Sequence, residues 1–290
     1  MLFERAVDAV KTRRHSEAGT ALPRRAALLL LLLGIAAPAT GILVDTSTPE
    51  LYERPPPDDP GWRNVGRRGA TSAIYLGKGW VLTARHAAAG AVEFDGQTFL
   101  PVEASVHWIS SPTGGLKADL LLFQVTPEPD LPALDLRRQP LHPDGETVMI
   151  GYGLGRGDPA LSGPGFRFDG RGVKRWGSNR IAASGVQVRG PKQTLTQCFS
   201  MVFSAGGSAH EAQATVGDSG GAVFLRGPKR WQLAGVLLSI SGRPGQSSGE
   251  ALFGNTTHAA DIGAYAPEIL AVLEGRFSPP TPQPAARGVR

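Results

Sequence analysis

Short apolar runs separated by turn signals fill most of the chain from residue 62 onward. TSAIYLG, GWVLTA, AVEFDGQTFL and DLLLFQV form a first group, and ETVMIGYG, RIAASGVQV, TQCFSMVFS, GAVFLR and WQLAGVLLSI form a second. Runs of this length, rich in Val, Ile, Leu and Phe and bounded by Gly, Asp or Ser, predict β-strands. Two groups of about six strands each predict an all-β fold of two antiparallel six-stranded barrels.

The same pattern divides the folded part of the chain. The first barrel is predicted over about residues 62–135 and the second over about 145–262, with LPALDLRRQPLHPDG as the crossover. About residues 264–277 have apolar positions at helical spacing and predict a C-terminal helix. The Gly- and Pro-rich stretch that begins at GYGLGRG and runs to Gly172 lacks GxGxxG spacing and a following helix, so it predicts a surface loop and not a phosphate site.

The two ends carry other signals. Within residues 1–39, an arginine pair directly precedes twelve apolar or small residues, and the run ends in Ala37-Pro38-Ala39, which predicts a signal peptide, or a signal anchor if it stays uncut. Residues 40–61 predict a Pro-rich linker and 278–290 a disordered Pro-rich tail. The folded domain is therefore expected over residues 62–277 of an exported protein, periplasmic or extracellular, that meets a membrane only through an uncut leader.

Composition removes several classes of function. The chain has 38 Gly, 24 Pro and one cysteine, Cys198, so it has no intrachain disulfide and none of the cysteine-rich metal spacings. Cys198 is expected to be a buried apolar residue on a strand. Of the net charge of +5, residues 1–39 contribute +3, and the remainder shows no basic stripe interleaved with aromatics. We expect no nucleic-acid partner, cofactor or metal, and a monomer.

The stretch VGDSGGAV raises a chemical question, because it surrounds Ser219 with glycines. Glycines there suit a tight turn, but they also suit a nucleophilic serine whose neighbouring N–H groups converge on an oxygen. Such a serine needs a base and an orienting group. His86, where the strand of LTARH meets small residues, and Asp119, at the head of the apolar strand in KADLLLFQV, are the best candidates. For either residue alone, a surface, core or turn role is the ordinary interpretation.

Together, LTARH, ADLLLF and GDSGGAV, in that order and 33 and then 100 residues apart, resemble the motifs of trypsin-like (chymotrypsin-fold, S1-type) serine peptidases, of a bacterial type without disulfides. The resemblance covers about residues 65–273. It implies that His86 is the general base and acid, Asp119 its orienting group and Ser219 the nucleophile. It also implies an oxyanion hole made by the N–H groups of Gly217 and Ser219, and a protein or peptide substrate.

This chain departs from the family pattern at several points. Arg85 and Ala87 flank the histidine in place of the common Ala and Cys. The family pairs a newly cut N-terminus with the aspartate that matches Asp218, but no such start is evident, which suggests that a side chain takes that place. The substrate pocket is predicted from three residues, with a neutral polar base that suits a neutral substrate side chain: Gln213, Ser239 and Gly242.

Two other functions fit part of this pattern. Gly-x-Ser-x-Gly also occurs at the nucleophile of α/β-hydrolases, which place the acid and then the histidine after the serine. Here His258 precedes Asp261, and strands surround Ser219. The second alternative is a peptidase-fold protein that no longer cuts and serves as a binding module.

Overall fold

The structure is a computed structural model that describes residues 41–170 and 172–276. The predicted signal segment and Pro-rich tail lie outside the described residues. Within those ranges, no helix has both the length and the apolar character needed to cross a bilayer. The strands and the α-helix are, in chain order, β1 (Leu43–Val44), β2 (Val65–Arg68), β3 (Thr71–Gly77), β4 (Trp80–Ala84), β5 (Val92–Phe94), β6 (Gln97–Ser110), β7 (Lys117–Thr126), β8 (Glu146–Gly151), β9 (Gly155–Pro159), β10 (Gly165–Asp169), β11 (Arg175–Gly190), β12 (Thr194–Val202), β13 (Ala212–Gln213), β14 (Ala222–Arg226), β15 (Trp231–Ser241), β16 (Glu250–Leu252), β17 (Thr256–Asp261) and α1 (Ile262–Leu273).

The second half of the chain forms a closed antiparallel barrel of six strands in the order β11-β12-β17-β15-β14-β8. The first half forms a ring in the order β2-β3-β4-β7-β6-β5, which is closed by one residue pair, Arg67 with Glu93. The prediction of a mostly-β chain with a six-stranded barrel and a C-terminal helix is confirmed. The strand order excludes the α/β-hydrolase fold, because the strands around Ser219 form an antiparallel barrel.

Buried apolar side chains fall into separate clusters. One fills the first ring, including Tyr75 and Phe123, and a second fills the later barrel, including Phe199 and Met201. A third combines residues of both halves and so packs the two sheets against each other. Cys198 belongs to this third cluster at 0% exposure, as predicted, and burial raises the pKa of its thiol to about 12. Its thiol is therefore protonated and unreactive near neutral pH.

The predicted linker over 40–61 is wrong at its start. Residues 42–44 are buried, and β1 pairs with β13, which immediately precedes the serine motif. Three consecutive apolar residues, Ile-Leu-Val, supply enough apolar surface to add a strand there. Farther along, Tyr52 packs its ring 5.0 Å from Trp176 and hydrogen-bonds His210 Nδ1 at 3.0 Å. Proline content alone was a poor guide to this segment.

The predicted surface loop up to Gly172 is also wrong. Strands β9 and β10 form a hairpin there, and β16 pairs with β10 to complete a three-stranded sheet. The cause is aromatic packing: the ring of Phe166 lies 6.5 Å from that of Phe203 and 5.9 Å from that of Phe253. The helix α1 starts at Ile262, two residues before the predicted start, because Asp261 Oδ1 caps its first turn by accepting from Gly263 N at 3.0 Å.

Candidate active site

His86 and Asp119 meet at the end of the first sheet. β4 ends at Ala84 and runs into a 3-10 turn that carries His86, while β7, paired with β4, carries Asp119. Asp119 Oδ2 lies 2.6 Å from His86 Nδ1, and Asp119 Oδ1 accepts from His86 N at 2.9 Å. Two bonds to one carboxylate fix the orientation of the ring and of its backbone. The structure thus brings His86 and Asp119 together.

The short bond has a consequence for the imidazole tautomer. Asp119 is 4% exposed, and a buried carboxylate in this position is an acceptor, so the proton of a neutral His86 resides on Nδ1. The other ring nitrogen, Nε2, is then left with its lone pair free. A free lone pair on Nε2 is what a general base requires.

A threonine of the second barrel holds the backbone at Asp119. Asp119 N donates to Thr196 Oγ1 at 2.8 Å, and Thr196, in β12, is 1% exposed. The bond therefore joins the strand of the orienting acid to the opposite barrel. Nothing in the sequence pattern distinguished Thr196 from the other alternating polar residues of its strand.

Ser219 lies in a tight turn, residues 215–221, which we call the Ser219 turn. Gly217 has φ of +99° and Gly220 has φ of +84°, both in the region that favours glycine. Space is short as well, because a Cβ on Gly217 would lie 2.9 Å from the Cα of Gly153. The glycines of the motif are thus required by the backbone of the turn as well as by chemistry.

The Ser219 turn is fastened to the first sheet through Ser72 of β3. Ser72 N donates to Ser219 O at 2.9 Å, and Ser72 Oγ donates to Gly217 O at 3.3 Å. Ser72 Oγ in turn accepts from Tyr152 N at 3.0 Å. One serine therefore ties the turn to both halves of the molecule. Ser72 was not identified from the sequence, where it is one polar residue in TSAIYLG.

A second support is the strap, residues 152–154, which follows β8. Gly153 N donates to Asp218 Oδ1 at 2.7 Å, and Leu154 N donates to Val216 O at 2.9 Å. Each of the three strap residues donates a backbone N–H to the Ser219 turn or to the serine that holds it. The strap thereby fixes the position of the turn from the side of the second barrel.

Asp218 is fully buried beneath the turn. Its Oδ2 accepts from Thr215 N at 2.8 Å and from Thr215 Oγ1 at 3.0 Å, so the expected side-chain partner is a hydroxyl and not a cation. Burial raises the pKa of Asp218 to about 7, against these hydrogen bonds and the charge of Arg175, which lower it. Arg175, itself buried, forms an ion pair with Glu53 of the N-terminal segment.

Besides Val216 N–H, two backbone donors of the turn have no acceptor within the described residues, namely Gly217 N–H and Ser219 N–H. The carbonyls beside them are used, since Val216 O accepts from Leu154 and Ser219 O from Ser72. Because the C=O and N–H of one peptide point in opposite directions, the bond of Val216 O to the strap directs the Gly217 N–H away from the strap. These are the two donors predicted for an oxyanion hole.

Ser219 Oγ lies 3.5 Å from Leu238 O, which is the hydrogen bond its hydroxyl makes among the described residues. No hydrogen bond joins it to His86 Nε2 in that part of the chain. Leu238 and Ser239 nevertheless line both the cavity that contains Ser219 and the cavity that contains His86. The structure thus places His86 and Ser219 on two sides of the same two residues, with the imidazole–carboxylate bond formed and the serine–imidazole bond not formed.

The cavity at Ser219 has a volume of about 200 Å³. Its lining contains one ionisable side chain, Asp218, which is 0% exposed and bonded within the turn. Leu237, Leu238 and Ile240 supply apolar wall, and Val216 forms an exposed rim. A cavity of this kind accepts an uncharged side chain.

One of the three predicted pocket residues lines the cavity at Ser219. Ser239 lines the cavity, but Gln213 and Gly242 do not. Gln213 is 1% exposed, pairs with Leu43 of β1, and has no hydrogen-bond partner for its amide within the described residues. Gln213 is absent from the cavity because the added strand β1, which lies in the predicted linker, covers this position.

The other acid and histidine considered from the sequence lie elsewhere. His258 Nε2 is bonded to Ser241 Oγ at 3.0 Å, and Asp261 caps α1. Neither has a bond to Ser219. The acid–histidine order of an α/β-hydrolase therefore has no counterpart at this site.

No protein-family model matches the sequence, and no curated protein matches it. Among solved structures, the chain is similar in fold to the Rv3671c protease in its inactive form, with 17% identity, a TM-score of 0.48, and coverage of 73% of this chain and 90% of that chain. The active form of the Rv3671c protease from M. tuberculosis gives 18% identity, a TM-score of 0.46, and coverage of 72% and 75%. The HtrA-type protease AlgW with decapeptide gives 18% identity and a TM-score of 0.45; the match covers 71% of this chain but only 52% of that chain.

Proposed function

We propose that this protein is an exported serine endopeptidase that cleaves peptide bonds through an acyl-enzyme. The observation that carries the proposal is the short bond from Asp119 Oδ2 to His86 Nδ1, which leaves Nε2 free beside the cavity wall shared with Ser219. The resemblance of the three motifs, in order, to trypsin-like serine peptidases supports it. Export rests on the leader predicted from the sequence.

In the proposed acylation step, Ser219 Oγ attacks the carbonyl carbon of the scissile bond while His86 Nε2 takes the hydroxyl proton. The substrate oxygen becomes an oxyanion and accepts from the N–H groups of Gly217 and Ser219. The C–N bond then breaks, and the leaving amine takes the proton from His86. Asp119 stabilises the imidazolium between these transfers without accepting the proton itself.

In deacylation, water replaces the amine. His86 removes a proton from water as its oxygen attacks the ester carbon, and returns the proton to Ser219 Oγ as the ester bond breaks. Before acylation the serine hydroxyl must turn from Leu238 O toward the imidazole, a rotation about one side-chain bond. Catalytic hydrogen bonds are commonly long or absent before substrate binds, so the present geometry is compatible with this role.

The substrate proposed is a protein or peptide with an uncharged side chain next to the scissile bond. Support comes from the cavity at Ser219, whose one ionisable lining group, Asp218, is buried and bonded. A charged substrate side chain there would lose its hydration without gaining an opposite charge.

A binding module without catalysis is the second candidate. It is favoured by one observation, the absence among the described residues of a hydrogen bond between Ser219 Oγ and the His86 ring. In that case the cavity would hold a peptide segment that is never cut. Both candidates use the same surface, and they differ in whether the serine reacts.

A fluorophosphonate probe separates them, because it forms a covalent bond only with an activated serine. We expect the mature protein to be labelled, Ser219→Ala to remain unlabelled, and the exposed Ser184→Ala to be labelled like the wild type. Failure to label a folded wild-type protein would favour the binding module. A rapid burst of the first product before steady state would then identify the acyl-enzyme.

A further inference from the structure

Lys174 is a buried cation with no carboxylate partner. It lies just before β11, is 7% exposed, and forms no ion pair within the described residues. Its Nζ instead lies 4.6 Å from the ring centre of Trp62 and 5.7 Å from that of Tyr152. Both contacts fall within the range of a cation–π interaction. The mechanism proposed above does not use this lysine.

Burying this ammonium group costs stability. Burial lowers the pKa of Lys174 to about 8, even though the charges of Asp59 and Asp95 raise it. A neutral residue of the same shape would avoid the cost. Because the buried ammonium group of Lys174 lowers stability, we looked for a role that a positive charge at this position could perform.

The neighbour of Lys174 connects it to the Ser219 turn. Tyr152 begins the strap, and its N–H donates to Ser72 Oγ at 3.0 Å, while Ser72 Oγ donates to Gly217 O. A Cβ on Gly217 would lie 3.4 Å from Tyr152 O, so the two backbones are in close contact. A shift of the Tyr152 ring therefore moves the peptide that presents the Gly217 N–H.

We propose that Lys174 is a positioning residue of the active site: its ammonium group bridges the Trp62 and Tyr152 rings and thereby fixes the strap that supports the Ser219 turn. The expected effect of Lys174 on the rate of cleavage rests on the proposed peptidase function, whereas its expected effect on the strap does not. When Lys174 loses its proton, the attraction to both rings is lost, and the strap gains freedom. Activity should then fall at alkaline pH.

Few other groups near Lys174 titrate in that range. Asp59 accepts from the backbone of residues 61 and 62, and Arg63 is paired with Asp95 at 2.5 Å, a contact that raises the pKa of Arg63 above its ordinary value. On the other side, burial raises the pKa of Tyr152 to about 12. Asp218, which accepts from Gly153 N of the strap, has a pKa that burial raises to about 7 and is the other group in this range. It is present in the wild type and in every variant, so a change between pH 7 and 10 that the Lys174 variants lack reports Lys174.

The test compares Lys174→Met, which keeps the length without the charge, with Lys174→Arg, which stays charged to high pH. The control is Lys229→Met, a lysine of the β14–β15 turn. In the wild type and the control, kcat should fall above about pH 8 with KM little changed. Lys174→Arg should keep its kcat to pH 10, and Lys174→Met should show a kcat reduced about 3- to 10-fold that no longer changes between pH 7 and 10.

Two further measurements do not need activity. Hydrogen exchange at residues 152–154 should become faster in Lys174→Met, and unchanged exchange there would overturn the proposal. The free energy of unfolding should rise in the wild type between about pH 8 and 10, because the unfolded chain then binds the proton that the folded chain has lost. Lys174→Met should lack this rise and be at least as stable at pH 7, since a purely structural lysine would lose stability together with activity.

If the wild type neither cleaves nor reacts with the probe, the peptidase proposal fails and the hydrogen exchange still decides the role of Lys174. If it cleaves but all three variants share one pH profile, the peptidase proposal stands and the role of Lys174 is refuted.

Discussion

The two parts of the candidate site are held in opposite ways. The imidazole of His86 depends on one carboxylate, Asp119, which bonds the ring at Nδ1 and accepts from the backbone N–H of the same residue. The Ser219 turn is held by many backbone bonds from Ser72, the strap and Asp218, none of which alone sets its shape. Substitution of Asp119 alone should therefore abolish most of kcat, whereas the loss of one bond to the Ser219 turn should lower kcat only in part. The predictions below measure this difference.

The largest effect is expected from Asp119→Asn. The amide can offer an N–H to Nδ1, which moves the imidazole proton to Nε2 and removes the base. We expect kcat to fall by about 10⁴-fold with the fold intact. Stopped assays at several pH values with an unchanged circular dichroism spectrum check this. A loss below tenfold would mean that His86 does not act as the base.

Gly217→Ala should have the next largest effect. Its φ of +99° and its contact with Gly153 oblige the backbone to shift, which moves the Gly217 N–H. We expect kcat to fall by about 10²- to 10³-fold, as for the loss of one oxyanion donor. Gly245→Ala is the matched control, because its φ is +80° but a Cβ there meets open space. Similar losses of kcat in both variants would contradict a role for the Gly217 donor.

The sequence predicted the two sides of this comparison unequally. Short strands and the motifs around His86, Asp119 and Ser219 identified the pair and the turn, because local patterns carry that information. The supports of the turn come from distant segments: Ser72 is 147 residues before Ser219, and the strap lies in a stretch predicted as a loop. Gln213 was misplaced for the same reason, since the strand that covers it, β1, lies in the predicted linker.

Ser72→Ala tests whether the loss of some of the bonds to the Ser219 turn lowers kcat only in part. The variant loses the hydroxyl bonds to Gly217 O and Tyr152 N but keeps the backbone bond to Ser219 O. We expect kcat to fall about 3- to 10-fold and stability to fall by about 1 to 2 kcal/mol, the cost of removing a buried bridging hydroxyl. Ser105→Ala, which removes two bonds in β6, should lose stability without losing kcat. If kcat of Ser72→Ala fell as far as that of Asp119→Asn, the Ser219 turn would depend on a single side chain just as the His86–Asp119 pair does.

A second imidazole–carboxylate pair gives the smallest expected effect and the sharpest contrast. His107 Nε2 lies 2.8 Å from Glu268 Oε1 and joins β6 to α1, far from the serine motif in the chain. Burial raises the pKa of Glu268, but hydrogen bonds from His107 and from Ser110 N outweigh it and hold the pKa below its usual value. The resulting stability is present above the pKa of the unfolded chain and is lost as pH falls through the folded value. Glu268→Gln should therefore cost about 1 kcal/mol at pH 7 and less at pH 3, with kcat unchanged, as measured by urea unfolding at both pH values.

The exposed Glu274→Gln serves as the control for that measurement, since its partner Arg276 is also exposed and the pair should contribute little. A fall in kcat for Glu268→Gln comparable to that of Asp119→Asn would mean that the helix contact also sets the site. If kcat is unchanged, two pairs of the same chemistry differ in consequence because only His86 has a free nitrogen beside the cavity wall that it shares with the serine. Position relative to that wall, more than the bond itself, then determines which imidazole can act as a base.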